Sequence, residues 1–354
     1  MSLFWSQQQT PNPFFNFGTL RHLKKNWNSN IVRAPLGIVD LDGHPGYLNN
    51  TEVEYEKMKA VIDGAIQNNI YVIVDWHDHQ ANLHLEKAKE FFKNISQIYG
   101  NDPHIIYEIW NEPDRSVNWT DIKAYSNVII PIIRANAPDS LILVGAPTFA
   151  QDVDIAAADP LNYQNIAYTL HYYAAVPEHQ QYLRDKALAA INLGKCVFIS
   201  EYGTVWYTGG GAVDEGNSTI WWNFNDQYKL SYVNWAIWTN NPSISPNLTG
   251  ANALTQGTTN NQMGMPSHWT TSGALVNKKY QTTNQGVKGN CPSSWYQSDY
   301  NNNTCYNYIN QNFTWTQASF YCNFLAQHAL LTSIANASEN SEVLGINFYS
   351  TGCL

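Results

Sequence analysis

The sequence has no apolar run near the roughly 18–20 residues that a membrane-spanning helix needs, so no membrane partner is expected. Charged residues are scarce, 13% of the chain, and lean acidic, with a formal net charge of −9. That balance argues against nucleic acid and anionic lipid surfaces, which attract basic proteins. There is no Cys-x-x-Cys and no cysteine–histidine set at zinc spacing, so neither a metal nor another cofactor is expected. No Gly-x-Ser-x-Gly elbow is present, which disfavours a Ser-His-Asp hydrolase. The run Gly209-Gly210-Gly211 is not followed by Lys-Ser or Lys-Thr, so it reads as a flexible loop and not as a phosphate cradle. Met1 runs straight into Ser2-Leu3-Phe4-Trp5, without the charged and apolar regions of a secretory leader.

Against these gaps stands an alternation. Apolar, β-rich runs fall near residues 31, 70, 105, 141, 167, 197 and 232. Between them lie helical patterns at 20–27, 53–68, 85–99, 121–136, 180–193 and 217–229. In the second of these, Met58, Val61, Ile62, Ala65 and Ile66 share one face. Pro131 is expected to kink or split its helix. The run from Ile70 to Val74 is continuously apolar, as suits a parallel strand covered on both faces. Seven such repeats and the stub of a first argue for a parallel (β/α)8 TIM barrel, and 354 residues leave room for something smaller beside it.

In a (β/α)8 barrel the active site forms at the carboxyl ends of the strands. Two runs deliver a glutamate there. Ile105-Ile106-Tyr107-Glu108-Ile109-Trp110 ends in Asn111-Glu112-Pro113, and Val197-Phe198-Ile199-Ser200 ends in Glu201-Tyr202-Gly203. One strand-end glutamate is ordinarily a solvated loop residue or an ion-pair partner. Two carboxylates brought together suit glycosidic bond cleavage, one as acid and the other as nucleophile or base. Arg33 lies inside an apolar run and needs a partner. His77, His79 and His84 cluster after the second strand without a metal-ligand pattern. His171, taken alone, reads as a satisfied core histidine. The aromatics, 14% of the chain with 13 Trp and 22 Tyr, serve either as packing or as flat platforms for sugar rings.

The segments IWNEP and ISEYG resemble the acid/base and nucleophile motifs of glycoside hydrolase family 5, and the resemblance covers roughly residues 1–283. It implies a retaining endo-β-1,4-glucanase with Glu112 as acid/base and Glu201 as nucleophile. It implies substrate-site roles for Arg33 beside the nucleophile, for His77 of Asp75-Trp76-His77, and for Asn111 at the sugar 2-hydroxyl. It further implies such roles for His171 near the acid/base, Tyr173 near the nucleophile, Trp235 as the floor of the −1 subsite and Trp5 as a glucose platform. Thr239-Asn240-Asn241 stands where relatives carry an Asp-Lys pair, a departure at the −2 subsite. Beside these relatives the chain is expected to lack most of its first strand, which leaves two open sheet edges. The partner expected is a β-glucan polysaccharide, bound by a secreted monomer. Two rivals stand beside this: a catalytically impaired carbohydrate-binding protein, and a family 5 hydrolase acting on mannan, xylan or mixed-linkage glucan.

Cys196 is alone in the large region, while Cys291, Cys305, Cys322 and Cys353 crowd the last stretch, as in a disulfide-bearing secreted module. After a linker at 284–290, the order Cys291, Trp295, Cys305, Trp315, Cys322 resembles the first half of a C-type lectin-like domain. The expected second domain is therefore a truncated α+β C-type lectin-like segment, 291–354. The resemblance implies a Cys291–Cys305 bridge; the partner of Cys322 stays open, Cys353 being one possibility.

Overall fold

The computed structural model describes residues 1–8, 12–239 and 250–283, with the backbone of 296–297 and 305–306. The chain divides into two units, Met1–Asn284 and Gln285–Leu354. In the first, strands β1 (Ile31–Gly37), β2 (Tyr71–His77), β3 (Ile105–Glu108), β4 (Ile142–Gly145), β5 (Ile166–Tyr173), β6 (Cys196–Gly203) and β7 (Tyr232–Asn234) pair in sequence order. Every pairing is parallel. The helices α1 (Phe17–Lys25), α2 (Thr51–Gln67), α3 (Leu85–Tyr99) and α4 (Trp119–Arg134) follow the expected alternation. So do α7 (Gln181–Asn192) and α8 (Glu215–Tyr228), while α9 (Thr271–Thr283) closes the unit.

Local chemistry explains the boundaries. Asn118 caps α4 reciprocally with Asp121, which starts the helix two residues before the periodic pattern does. Helix α4 runs unbroken through Pro131 to Arg134, contrary to the expected kink or split. Pro131 forgoes one i→i−4 hydrogen bond near the C-terminal end, and the twelve residues before it carry the helix through that loss. Helix α3 buries Ala88, Phe91, Phe92, Ile95 and Tyr99 on one face, against Trp76 of β2.

The N-terminal stub partly closes the gap expected between the two open edges. Ser2 pairs parallel with Arg33, and Leu3 with Ile237. The Ser2 N–H donates to Asn234 O at 2.8 Å, the Leu3 N–H to Arg33 O at 2.9 Å, and the Ile237 N–H to Ser2 O at 2.8 Å. A short extended segment thus lies between β1 and β7 and bridges them toward the carboxyl end of the barrel. Below it, at the amino ends of the strands, is a cavity of about 950 Å³ bordered by Met1, Ile31, Tyr71, Ile105 and Tyr232. The last strand is shorter than expected and pairs only over Tyr232–Asn234.

The barrel interior is layered. Ile73, Ile106, Leu143, Ala167, Phe198 and Val233, one from each of β2 to β7, form a small apolar plug. Side chains alternate along a strand, so two residues on, above the plug, stand Arg33, Asp75, Glu108, Thr169 and Ser200, all buried. The larger apolar core lies outside the sheet, between strands and helices.

In the second unit, β8 (Tyr296–Gln297) and β9 (Cys305–Tyr306) pair antiparallel. The rest of the lectin-like expectation, with Cys291, Cys322, Cys353 and the bridges drawn between them, lies outside the described residues. So do Asn240 and Asn241.

Candidate active site

Eight of the nine expected site residues line one cleft of about 660 Å³ at the carboxyl ends of the strands: Trp5, His77, Asn111, Glu112, His171, Tyr173, Glu201 and Trp235. The ninth, Arg33, lies directly beneath and is fully buried.

Strand β6 needs a device to present Glu201. With Phe198 and Ser200 facing inward, strict alternation would turn Glu201 outward. The pairing between β5 and β6 shifts register between Thr169↔Phe198 and His171↔Glu201. The extra residue on β6 makes a bulge, so Ser200 and Glu201 both face the interior. Tyr202 then points out and stacks on Tyr172, with ring centroids 5.3 Å apart. Gly203 is required by close approach: a Cβ there would sit 2.3 Å from the Tyr173 ring. That ring crosses the glycine so that Tyr173 Oη donates to Glu201 Oε1 at 2.6 Å.

Arg33 organises the layer below. Its Nε donates to Glu108 Oε2 at 2.7 Å, Nη1 to Glu201 Oε2 at 2.8 Å, and Nη2 to Asn111 Oδ1 at 2.5 Å. Nη2 also lies 3.0 Å from Asp75 Oδ2. Burial alone would lower the guanidinium pKa, but Asp75, Glu108 and Glu201 outweigh it and hold Arg33 firmly charged. Asp75 in turn holds His77: the two meet at 2.7 Å through Nδ1. Burial first, and Arg33 second, push the His77 pKa down to about 3, so the ring is neutral. With Nδ1–H donating to Asp75, Nε2 accepts from the Trp5 indole at 2.5 Å. His77 also stacks on Trp235, centroids 5.3 Å apart and planes 11° apart.

Glu112 is held from two sides. His171 Nδ1 is 2.9 Å from Oε1, and His79 Nε2 is 3.4 Å from Oε2. His171 Nε2 meets Ser200 Oγ at 2.8 Å, and that hydroxyl donates to Glu108 Oε1 at 2.6 Å. Ser200 therefore accepts from His171 Nε2–H, which leaves Nδ1 to share one proton with Glu112. Burial alone would lower the His171 pKa, but the carboxylates around it raise it to about 9. Glu108 acts here through Ser200, since its direct approach to Nε2 is 3.8 Å. Burial by itself pushes the Glu112 carboxyl up, and hydrogen bonding to His171 and His79 more than reverses this. In the open cleft the shared proton rests on His171. The charged state of His171 contributes stability that is fully present below its ordinary value of 6.5 and is lost as pH rises through about 9. The Tm gap between the protein and its His171→Gln variant is therefore expected to narrow between pH 6 and pH 10, from a difference on the order of 3 kcal/mol. A gap independent of pH in thermal melts would contradict the shared proton.

Glu112, His171 and Glu201 also form the one group among the described residues with metal-ligand spacing, their ligand atoms lying within 4.8 Å of one another. The carboxylate oxygens involved already accept from Arg33, Tyr173 and the histidines. The three clustered histidines divide among separate carboxylates, His77 with Asp75, His79 with Glu112 and His84 with Asp78.

Sequence reasoning passed over Asp75, Glu108, Ser200 and Phe149, and weighed His79 only as a metal ligand. For the first two the signal was present: each is a charge inside an apolar run, the argument that singled out Arg33. Phe149 lines the cleft from α5 (Pro147–Ala150), whose Thr148, Phe149 and Ala150 are left-handed at φ 58°, 59° and 56°. A helix α6 (Val153–Ala158) follows. No residue pattern announces a left-handed turn of non-glycine residues, which is intrinsically unfavourable.

A family model described as Cellulase (glycosyl hydrolase family 5) matches residues 1–241. Endoglucanase Z of Dickeya dadantii is 40% identical over 257 residues, 72% of this chain and 59% of the relative. An endoglucanase of Clostridium saccharobutylicum is 38% identical over 289 residues, 80% of this chain and 62% of the relative. The chain thus spans about three fifths of the length of these curated relatives. Among solved structures, a Cytophaga hutchinsonii protein superposes with TM-score 0.74 at 36% identity, covering 80% of this chain and 88% of its own. A variant catalytic domain of Thermobifida fusca endoglucanase Cel5A, solved with cellotetraose, gives 0.71 at 30% identity, covering 79% and 90%.

Proposed function

The chain belongs to glycosyl hydrolase family 5, the cellulase family, and from that premise we propose that it is a retaining endo-β-1,4-glucanase in which Glu112 is the acid/base and Glu201 the nucleophile. The observation that carries this reading is the carboxylate pair. Oxygens of Glu112 and Glu201 lie within 4.8 Å, in keeping with the ~5–5.5 Å of retaining enzymes and well short of the ~6.5–9.5 Å that admits an inverting water.

Glu201 attacks the anomeric carbon through a carboxylate oxygen, and the bond to the leaving glycosidic oxygen breaks. Glu112 delivers the proton to that oxygen. Because Glu112 and His171 share one proton, Glu112 is loaded from His171 when a sugar covers the cleft and excludes water. In the second half, Glu112 takes a proton from water, which attacks the glycosyl-enzyme and frees Glu201. Tyr173 keeps its phenolic proton, since burial and the neighbouring Glu201 raise its pKa well above the ordinary value. It thus remains a donor to the nucleophile. Asn111, oriented by Arg33, binds the sugar 2-hydroxyl, and Trp235 stacked on His77 floors the −1 subsite. Trp5 is a glucose platform in the same cleft: its indole N–H is held by His77, which fixes the ring 5.9 Å from that of Trp235 and leaves its face for stacking.

The endoglucanase names of the relatives and the cellotetraose held by a structural neighbour favour β-1,4-glucan over mannan or xylan. The reading of a catalytically impaired binder rested on open barrel edges, and the pairing of Ser2 and Leu3 weakens that motive. On sequence alone we further read the chain as a secreted monomer with part of a C-type lectin-like module at 291–354. The test is hydrolysis of carboxymethylcellulose with the anomeric outcome followed by NMR on cellotetraose. The expected result is rising reducing ends with the β-anomer formed first. An α-anomer formed first would overturn retention, and no hydrolysis of either substrate would overturn the endoglucanase reading.

A further inference from the structure

Of the exposed large apolar side chains among the described residues, only Trp206 and Tyr207 line the cleft that holds Glu112 and Glu201. They are adjacent in sequence, 38% and 58% exposed, and their rings sit 5.5 Å apart at 41°. We propose that Trp206 and Tyr207 form an aromatic platform on which a pyranose ring of a bound β-1,4-glucan chain stacks, a subsite beyond the pair of carboxylates; this rests on the endoglucanase reading above.

The loop that carries them is built to hold them out. The Gly209 N–H donates to Trp206 O at 2.9 Å, and the Trp206 N–H to Gly210 O at 3.2 Å. Gly209 and Gly211 take φ of 77° and 85°, which residues with a side chain resist. The sequence reading of this glycine run as a flexible loop is thus replaced by a tight turn. The turn is strapped on both flanks: the Ala175 N–H donates to Val205 O at 3.3 Å, and the Ala251 N–H to Gly209 O at 2.8 Å. Space behind it is closed, because a Cβ on Gly250 would meet Gly211 O at 2.5 Å and Val205 Cγ1 at 3.0 Å. These bonds fix the backbone from which the aromatic pair projects.

Two large aromatic rings left in water cost free energy in proportion to their apolar area. Elsewhere in the cleft wall the aromatic rings are at least partly buried against neighbours: Trp235 on His77, Phe4 on Trp5 and Trp235. Among the described residues, the only ring pairing of Trp206 and Tyr207 is with one another. A β-1,4-glucan presents flat faces of C–H groups with hydroxyls at the edges. Such a face covers an aromatic ring without leaving a polar group buried, and its edge hydroxyls stay within reach of the indole N–H and the phenol, whereas a nucleotide phosphate would find no positive charge on these two rings.

The experiment measures kcat and KM on cellohexaose for the protein, for Trp206→Ala, Tyr207→Ala and the double variant, and for Tyr182→Ala as an exposed aromatic outside the cleft lining. The expected result is a KM raised about tenfold in Trp206→Ala and about threefold in Tyr207→Ala, as lost stacking area implies. Trp206→Tyr, which keeps a flat ring, is expected to recover most of the loss, and Tyr182→Ala to match the parent. Cellohexaose titrated into Glu201→Gln with and without Trp206→Ala reads the same loss as binding, independently of turnover. A double variant whose KM stays within twofold of the parent, with equal affinity on the Glu201→Gln background, overturns the platform alone. A parent that neither binds nor cleaves cellohexaose overturns the endoglucanase reading instead.

Discussion

Glu201→Gln is expected to lower turnover of carboxymethylcellulose by roughly a thousandfold or more, an increase of at least about 4 kcal/mol in the barrier. The amide keeps the volume, and with its one oxygen turned to Arg33 it still accepts there, while its NH2 faces the Tyr173 hydroxyl, which then accepts instead of donating. What it loses is the negative oxygen that forms the covalent bond. The fold is expected to survive, because Arg33 retains Glu108 and Asp75. A melting temperature near that of the parent would therefore accompany the loss. Glu201→Ala offers a sharper check. Azide can enter the space vacated by the carboxylate and attack the anomeric carbon from that side, so a rescued reaction should yield an α-glycosyl azide. A fully active Glu201→Gln, freed of contaminating hydrolase, would remove Glu201 from the nucleophile's role.

Arg33→Met is expected to be the most destabilising single change in the site. Arg33 is wholly buried and faces three carboxylates, Asp75, Glu108 and Glu201. Removing one member of a buried ion cluster costs roughly 3–5 kcal/mol, because the charges left behind have neither water nor partner. For a unit of this size that corresponds to a fall of about 10 °C in Tm. Arg33→Lys is expected to lie between the two, since one ammonium cannot serve Glu108, Glu201 and Asn111 with the fork that the guanidinium provides. Activity should fall in both variants, as Asn111 and Glu201 lose a common anchor. A Met variant that melts within about 2 °C of the parent would show that the cluster is neutralised by protons and not by Arg33.

The architecture was open to reading from sequence because parallel strands covered on both faces are predominantly apolar. The runs at Ile70 and Ile105 had no other interpretation. Helix ends were less visible where a cap set them: Asn118 begins α4 ahead of its apolar pattern. The site was partly open too. Glu112 and Glu201 stand at strand ends, where alternation matters less than termination. Asp75 and Glu108 lay in the same runs and were overlooked, because a single strand does not reveal which charges will converge on Arg33. Period-two reasoning fails outright at Ser200 and Glu201, where the register shift against β5 turns neighbours to the same side. Trp206 and Tyr207 escaped notice for another reason. They belong to a loop, and whether a loop aromatic packs or protrudes is decided by the turn beneath it, here by the dihedrals of Gly209 and Gly211.

The layering of the barrel has a consequence for how the charges behave in use. Arg33, Asp75 and Glu108 form a charged sheet whose lower side is already dry, sealed by Ile73, Ile106, Leu143, Ala167, Phe198 and Val233. The upper side faces the cleft, across Asn111 and Glu201. A glucan laid across the cleft would close that side as well, and the sheet would then sit between two insulators. Every interaction within it strengthens as the surrounding permittivity falls. The substrate is thus also part of the medium: by arriving it would sharpen the field on Glu201 and disfavour the separated Glu112 carboxylate and His171 imidazolium relative to a neutral pair. The arrangement is soft to protons while empty and becomes committed when filled.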